Sequence, residues 1–322
     1  MKPHYKVTAI LAVSSVFLSA TVANAAENSV EIHDLLTSAP GHSRVLTSTS
    51  AATTDGTITL PSEEAGVIEL KHSDGTWLTV GLPQNAGLSS PADKLSQSSG
   101  SAVIAEPMKA ATSAQDSSTG KSALSARAVV AVPDAKADRS YNFDLNFSDG
   151  IVPQLRKDGS VQFVLDPKLG NSHPGVEAEA SFGEIKTPWA IDANGKAVPT
   201  KFTLKGNTLT QTINPIKDTT YPVILDPEAE WKGFYGRLTY SRAETANMRD
   251  QGVVIAGLLG GSAGIAAMFG PGAPIVGAAL AAASAAAVGI IATTASNAHS
   301  DGRCLQVDIP PLVNPTIVNC RS

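Results

Sequence analysis

A chain of 322 residues with a formal charge of −5, 16% charged residues and 5% aromatics has length for two ordinary domains but little aromatic mass to fill their cores. Its Lys and Arg are dispersed, which excludes the clustered cations that phosphate backbones require, so no nucleic-acid partner is expected. The 2 cysteines exclude a disulfide-dense miniature fold.

The chain opens with the parts of an export signal. Lys2, His4 and Lys6 make a basic start, Val7 to Ala20 is apolar, and Ala23-Asn24-Ala25 offers small residues at a cleavage site. Residues 1–25 are read as a signal peptide, so the mature chain starts at Ala26. The expected localisation is exported, either secreted or associated with the cell envelope. Residues 26–52 carry no hydrophobic period and read as a flexible N-terminal segment. Residues 53–83 form a β-hairpin region. Val67 to Lys71 and Trp77 to Val80 alternate apolar and polar around Ser73-Asp74-Gly75, with Ile58 to Leu60 as a further strand. Residues 84–125, dominated by Ser, Ala and Gln, read as a linker or surface insertion. Gly120-Lys121-Ser122 within it resembles the end of a phosphate-binding loop, but the motif needs a glycine where Gln115 stands.

From 126 to 228 the pattern is β throughout. Candidate strands lie at Val129–Val132, Tyr141–Phe147, Val161–Leu165, Val176–Phe182, Phe202–Leu204, Thr208–Ile213 and Tyr221–Leu225. Asp149-Gly150, Asp158-Gly159, Asn194-Gly195 and Gly206-Asn207 separate several of them as turns. Short strands at a spacing of about ten residues predict an antiparallel β-sandwich. Residues 229–250 form an aromatic and basic bridge. Trp231, Phe234, Tyr235 and Tyr240 stand beside Lys232, Arg237, Arg242 and Arg249, which suits either anchors at a lipid–water interface or a strap docked on the sandwich.

Gln251 to Ser300 contains no Asp, Glu, Lys or Arg. Two apolar segments of roughly 18 and 23 residues, each about the length of a bilayer core, flank Pro271-Gly272-Ala273-Pro274. Residues 251–298 are read as an apolar Gly/Ala-rich helical hairpin. Gly252, Ala256, Gly260 and Gly264 recur every fourth residue, as do Gly277, Ala281, Ala285 and Gly289, placing small residues on one face of each helix for close packing. Such a hairpin either associates with membrane lipid or with itself, or lies buried in a water-soluble protein. Residues 299–322 form the tail, where Cys304 and Cys320 are expected to pair as one disulfide, contributing roughly 3 kcal/mol in the chain-entropy model. The fold class is therefore mainly β with a C-terminal α segment: sandwich, hairpin, then disulfide-closed tail.

Thr187 to Thr200 (TPWAIDANGKAVPT), Gly206 to Gln211 (GNTLTQ) and Tyr221 to Pro227 (YPVILDP) resemble a β-module of secreted actinobacterial proteins. The closing Tyr-Pro-Val-x-x-Asp-Pro is similar to the end of β-modules in such exported proteins, some of them ahead of repeat-containing toxins. Tyr240 to Thr245, the Ala/Gly hairpin, Gly302 to Leu305 and Cys320 extend the resemblance across roughly residues 126–322. It implies an exported β-domain protein with a helical tail and carries over no catalytic residue.

Catalytic patterns are missing from the sequence. His33, His42, His72, His173 and His299 are isolated from one another, His-Glu-x-x-His does not occur, and Gly261-Ser262-Ala263-Gly264 lies inside the apolar hairpin rather than at a strand-to-helix turn. No enzyme activity, cofactor or metal is expected. The reading is a non-enzymatic envelope protein whose hairpin associates with membrane or partner. The alternative is a precursor of a bacteriocin-like or pore-forming effector carried in residues about 230–322.

Overall fold

The computed structural model describes residues 29–46, 50–53, 55–62, 66–96, 100–110, 123–168, 176–250, 286–309 and 314–320. The signal peptide, Gly120-Lys121-Ser122 and the hairpin positions Gly252, Ala256, Gly260, Gly264, Gly277, Ala281 and Ala285 lie outside them.

The described residues are mainly β. β1 (Val30–Glu31) leads into helix α1 (Ile32–Ser38) and a 3-10 turn (His42–Arg44). β2 (Ser50–Thr53), β3 (Gly56–Thr59), β4 (Val67–His72) and β5 (Trp77–Gly81) follow as a meander. Next come β6 (Ala86–Leu88), β7 (Lys94–Leu95), β8 (Ser101–Lys109), β9 (Leu124–Val132) and β10 (Ser140–Phe147). β11 (Ile151–Leu155), β12 (Val161–Leu165), β13 (Val176–Ile185) and β14 (Ala190–Ile191) precede β15 (Thr200–Lys205), β16 (Thr208–Ile213) and β17 (Val223–Leu225). The chain ends with β18 (Glu228–Tyr240), α2 (Arg242–Asp250), α3 (Ala286–Ser300), β19 (Cys304–Ile309) and β20 (Asn314–Val318).

A 7-stranded sheet runs β15-β16-β10-β5-β4-β3-β2. An 11-stranded sheet runs β11-β12-β13-β18-β9-β17-β14, with β8 on β9, β6 on β8, β19 on β18 and β20 on β19. The strand pairs are antiparallel apart from β6 with β8, which is parallel. Alternation explains most of this. Inward residues of the smaller sheet, among them Leu70, Leu78, Phe143 and Leu209, share one buried cluster with Val130, Phe163, Phe182 and Trp231 of the larger. β9 departs from alternation: every residue of LSARAVVAV is buried, because both its faces are covered.

Three boundaries read from the sequence need correction. Residues 84–125 are not merely a linker. β8 lies within them, and Val103, Ile104 and Met108 are buried against β9. Residues 29–46 are folded rather than flexible: Ile32, Leu35 and Leu36 of α1 pack with Ala102, Ile104 and Val129 on the outer side of the larger sheet. Residues 229–240 are not a bridge but the centre of that sheet. β18 pairs along one edge with β13, and along the other with β9 and then β19.

The aromatic anchors are corrected with it. Trp231, Phe234 and Tyr240 are buried core residues rather than exposed side chains. Trp231 stacks on Phe182 at 6.1 Å and meets Phe163 edge-on at 5.4 Å. A strict period of two would send Trp231 and Phe234 to opposite faces. The ladder between β13 and β18 shifts between Ser181 and Gly183, and Gly233 takes φ 67°, so a bulge returns Phe234 to the core. Tyr235 points the other way, half-buried, with its hydroxyl accepting from Arg237 Nη2 at 3.0 Å.

The tail continues the larger sheet. β19 lies between β18 and β20, and Cys304 and Cys320 are joined by a disulfide across a sequence separation of 16. Ser241 caps α2, its Oγ accepting from the Glu244 N–H at 3.2 Å. Thr245 Oγ1 accepts from the Leu305 N–H at 3.1 Å and ties α2 to β19. α3, which contains Gly289, lies against α2, β19 and β20, burying Ile291, Ala295 and Ala298 from one face. Among the described residues no helix is long and apolar enough to cross a membrane.

Candidate functional site

The densest buried chemistry lies where β8, β9 and β18 run side by side. Cross-strand register places Glu106 opposite Arg127 and Arg127 opposite Glu228. Lys186, just after β13, donates its backbone N–H to the Glu228 carbonyl at 2.9 Å. The row therefore reads acid, base, acid, base across one face. Such a row satisfies each buried charge with its neighbours, without which burial would be prohibitive.

The contacts are short. Arg127 Nε donates to Glu106 Oε2 at 2.7 Å, and its Nη1 donates to the Pro40 carbonyl at 2.8 Å. Arg127 Nη2 is buried with no hydrogen-bond partner among the described residues. Arg44 grips both oxygens of Glu228 at 2.7 Å, a fork-to-carboxylate geometry that fixes orientation as well as charge. Lys186 Nζ reaches Glu228 at 2.8 Å and Glu230 at 2.6 Å. Burial alone would raise the Glu228 carboxyl, but the hydrogen bonds from Arg44 and Lys186 outweigh it and hold that carboxyl below its ordinary range.

Asp226 lies at the edge of this cluster and behaves oppositely. Burial pushes its carboxyl well above the usual carboxylate range; the Trp189 N–H, 3.3 Å from Oδ1, works against that, and Glu228 adds to it. The carboxylates of Glu106, Glu228 and Glu230 face the cations of Arg44, Arg127 and Lys186 in equal number. Pro40 and Arg44 belong to the segment carrying α1, so the cluster also clasps that segment to the sheet.

A second polar node joins the two large sheets. Asp74, in the β4–β5 turn, accepts from the Thr76 N–H at 3.0 Å and the Thr76 hydroxyl at 2.7 Å through Oδ1. Its Oδ2 accepts from the Phe234 N–H at 2.7 Å, inside the β18 bulge. Trp231 Nε1 donates to Thr76 Oγ1 at 3.0 Å. His72 Nδ1 stands 3.0 Å from Asp74 Oδ1, while its Nε2 is buried with no hydrogen-bond partner among the described residues. Burial opposes ionisation of Asp74, yet the bonds from His72, Phe234 and Thr76 hold its carboxyl far below the ordinary range.

Ser125 and His72 are not brought together. The buried Ser125 hydroxyl lies on the Arg127 face of β9, whereas Leu124, which approaches Gly56 beside His72, lies on the other. No group of three or more His, Cys, Asp and Glu suited to a metal occurs among the described residues.

The sequence-derived site residues thus separate. Cys304 and Cys320 meet as expected, Trp231, Phe234 and Tyr240 are core, and Gly289 sits in α3. Glu106, Arg127, Lys186 and Glu228 escaped the sequence reading. One signal pointed to Arg127: a single charge inside the apolar run LSARAVVAV demands a buried partner. Comparison with protein-family models, curated proteins and solved structures yields no match, so function is argued from these residues alone.

Proposed function

We propose that this chain is a non-enzymatic, exported cell-envelope protein, a β-sandwich displayed outside the cell whose uncharged C-terminal run associates with membrane lipid or with a second copy. The observation that carries the reading is the attachment of that run. α2 ends at Asp250 and α3 begins at Ala286, and both lie against the disulfide-closed β19–β20 hairpin. The uncharged stretch is thus tied to the β-body at both ends. The disulfide supports an oxidising, extracytoplasmic setting. The paired sheets over one core support the sandwich.

Release of a free effector from about residue 230 is the weaker reading, because a cut inside β18 would break the strand that β13, β9 and β19 share. Expression of the full chain in a bacterial host tests the proposal. The expected product begins at Ala26, has no free thiol and sediments with the envelope. A full-length product with reduced thiols in the cytosol would contradict it.

A further inference from the structure

Residues 29–46 cross the outer side of the larger sheet as a strap. Ile32, Leu35 and Leu36 of α1 share with Ile104, Val129 and Ile224 a buried cluster separate from the main core. Backbone bonds tie both ends of the strap. The Ile32 N–H donates to the Asp93 carbonyl at 3.1 Å, and the Leu46 N–H to the Pro107 carbonyl at 2.9 Å. Between them the side-chain ties are the Arg44 fork on Glu228 and Arg127 on the Pro40 carbonyl. The strap thus covers an apolar patch and is fastened at a few polar points.

Two imidazoles meet inside it. His33 on α1 and His42 in the 3-10 turn lie edge to face, their ring centroids 6.5 Å apart. His42 Nδ1 is buried with no hydrogen-bond partner among the described residues. The Arg44 guanidinium folds back over Gly41, the residue before His42; an added Cβ there would stand 2.7 Å from Nη2.

We propose that residues 29–46 form a proton-operated strap, which protonation of the His33–His42 pair loosens from the sheet to bare the apolar patch beneath. Imidazole is the side chain that takes up a proton just below neutral pH. In the docked strap a proton on His42 Nδ1 finds no acceptor, and its charge stands close to His33 and beside a turn that already holds the Arg44 cation. Once the strap lifts, water supplies the acceptor and separates the charges. Docking is therefore favoured at higher pH and weakens as the imidazoles protonate.

Other charges surround the strap. β8 brings Glu106 and Lys109, β9 brings Arg127, and β18 brings Glu228 and Glu230, with Lys186 and Asp226 beside them. Glu31, Asp34, Asp93 and Lys94 stand at the α1 end. None of these carboxylates accepts from His42 Nδ1. Glu228 is held below the ordinary carboxylate range, so its grip on Arg44 outlasts the titration of the imidazoles. This inference does not depend on membrane association.

The test is amide hydrogen exchange of the full chain, followed by mass spectrometry at pH 7.5 and pH 5.5, with each rate corrected for the chemical exchange rate at that pH. The expected result is that opening of residues 32–46 rises about tenfold or more at the lower pH, for one proton taken up on release, while β9 and β18 stay protected. The double variant His33→Gln, His42→Phe, which takes up no proton at either position, should lose that rise; circular dichroism checks that its β-fold is retained. Asp226 changes charge outside the ordinary carboxylate range, and the double variant separates its titration from that of the imidazoles. Equal protection of the strap at both pH values, equal loss in β9 and β18, or a double variant that keeps the rise overturns the proposal.

Discussion

Arg127, Asp226 and Gly233 each occupy a place that few other residues fill. Arg127 is fully buried and neutralises Glu106 at 2.7 Å. Replacing it with Met alone strands a buried carboxylate, so Arg127→Met should cost about 3–5 kcal/mol by urea unfolding. Adding Glu106→Leu should recover most of that loss, since the pair removed together leaves no orphan charge. At Gly233 an added Cβ would lie 2.3 Å from His72 Nδ1 and 2.5 Å from Asp74 Oδ2, at a φ of 67°. Gly233→Ala should therefore cost roughly 1–3 kcal/mol or more, measured the same way.

Asp226 and Glu228 respond to pH in opposite senses. The Glu228 carboxyl is held below its ordinary value, so its contribution is present above the carboxylate range and disappears as pH falls through the lowered value. Asp226 is raised, so its contribution is full in acid and is lost as pH rises through the raised value. Asp226→Asn should raise Tm at pH 8 more than at pH 5. An equal shift at both pH values would show that Asp226 is ionised throughout.

At the scale of elements, the strands with clean alternation were legible: β4, β5, β10, β12 and β16 fall where their periods put them. β8 was lost because Glu106-Pro107 interrupts SAVIAEPMK and hides its neighbours' burial. β18 was misread for a deeper reason. Its bulge shifts the period, so Trp231 and Phe234 read as a scatter of aromatics rather than one buried face. The charge cluster could not be foreseen, since Glu106, Arg127, Lys186 and Glu228 are distant in sequence and meet only through register. Trp231→Ala should cost about 3–5 kcal/mol, as expected for a large buried side chain and not for an interface anchor.

At the scale of the molecule, body and tail are one piece. β18 belongs to the sheet and also receives β19, so ending the chain at Asp250 would strip a strand from Gly236–Thr239 as well as remove the apolar run. A cleaner comparison replaces residues 252–285 with a short Gly/Ser linker and keeps α2, α3 and the disulfide. The decisive measurement is flotation with liposomes of this variant beside the chain starting at Ala26. The expected result is that the unaltered chain floats with the vesicles and the linker variant, equally folded, stays at the bottom of the gradient. If both stay at the bottom, or both float, the uncharged run is not what carries the protein to a membrane.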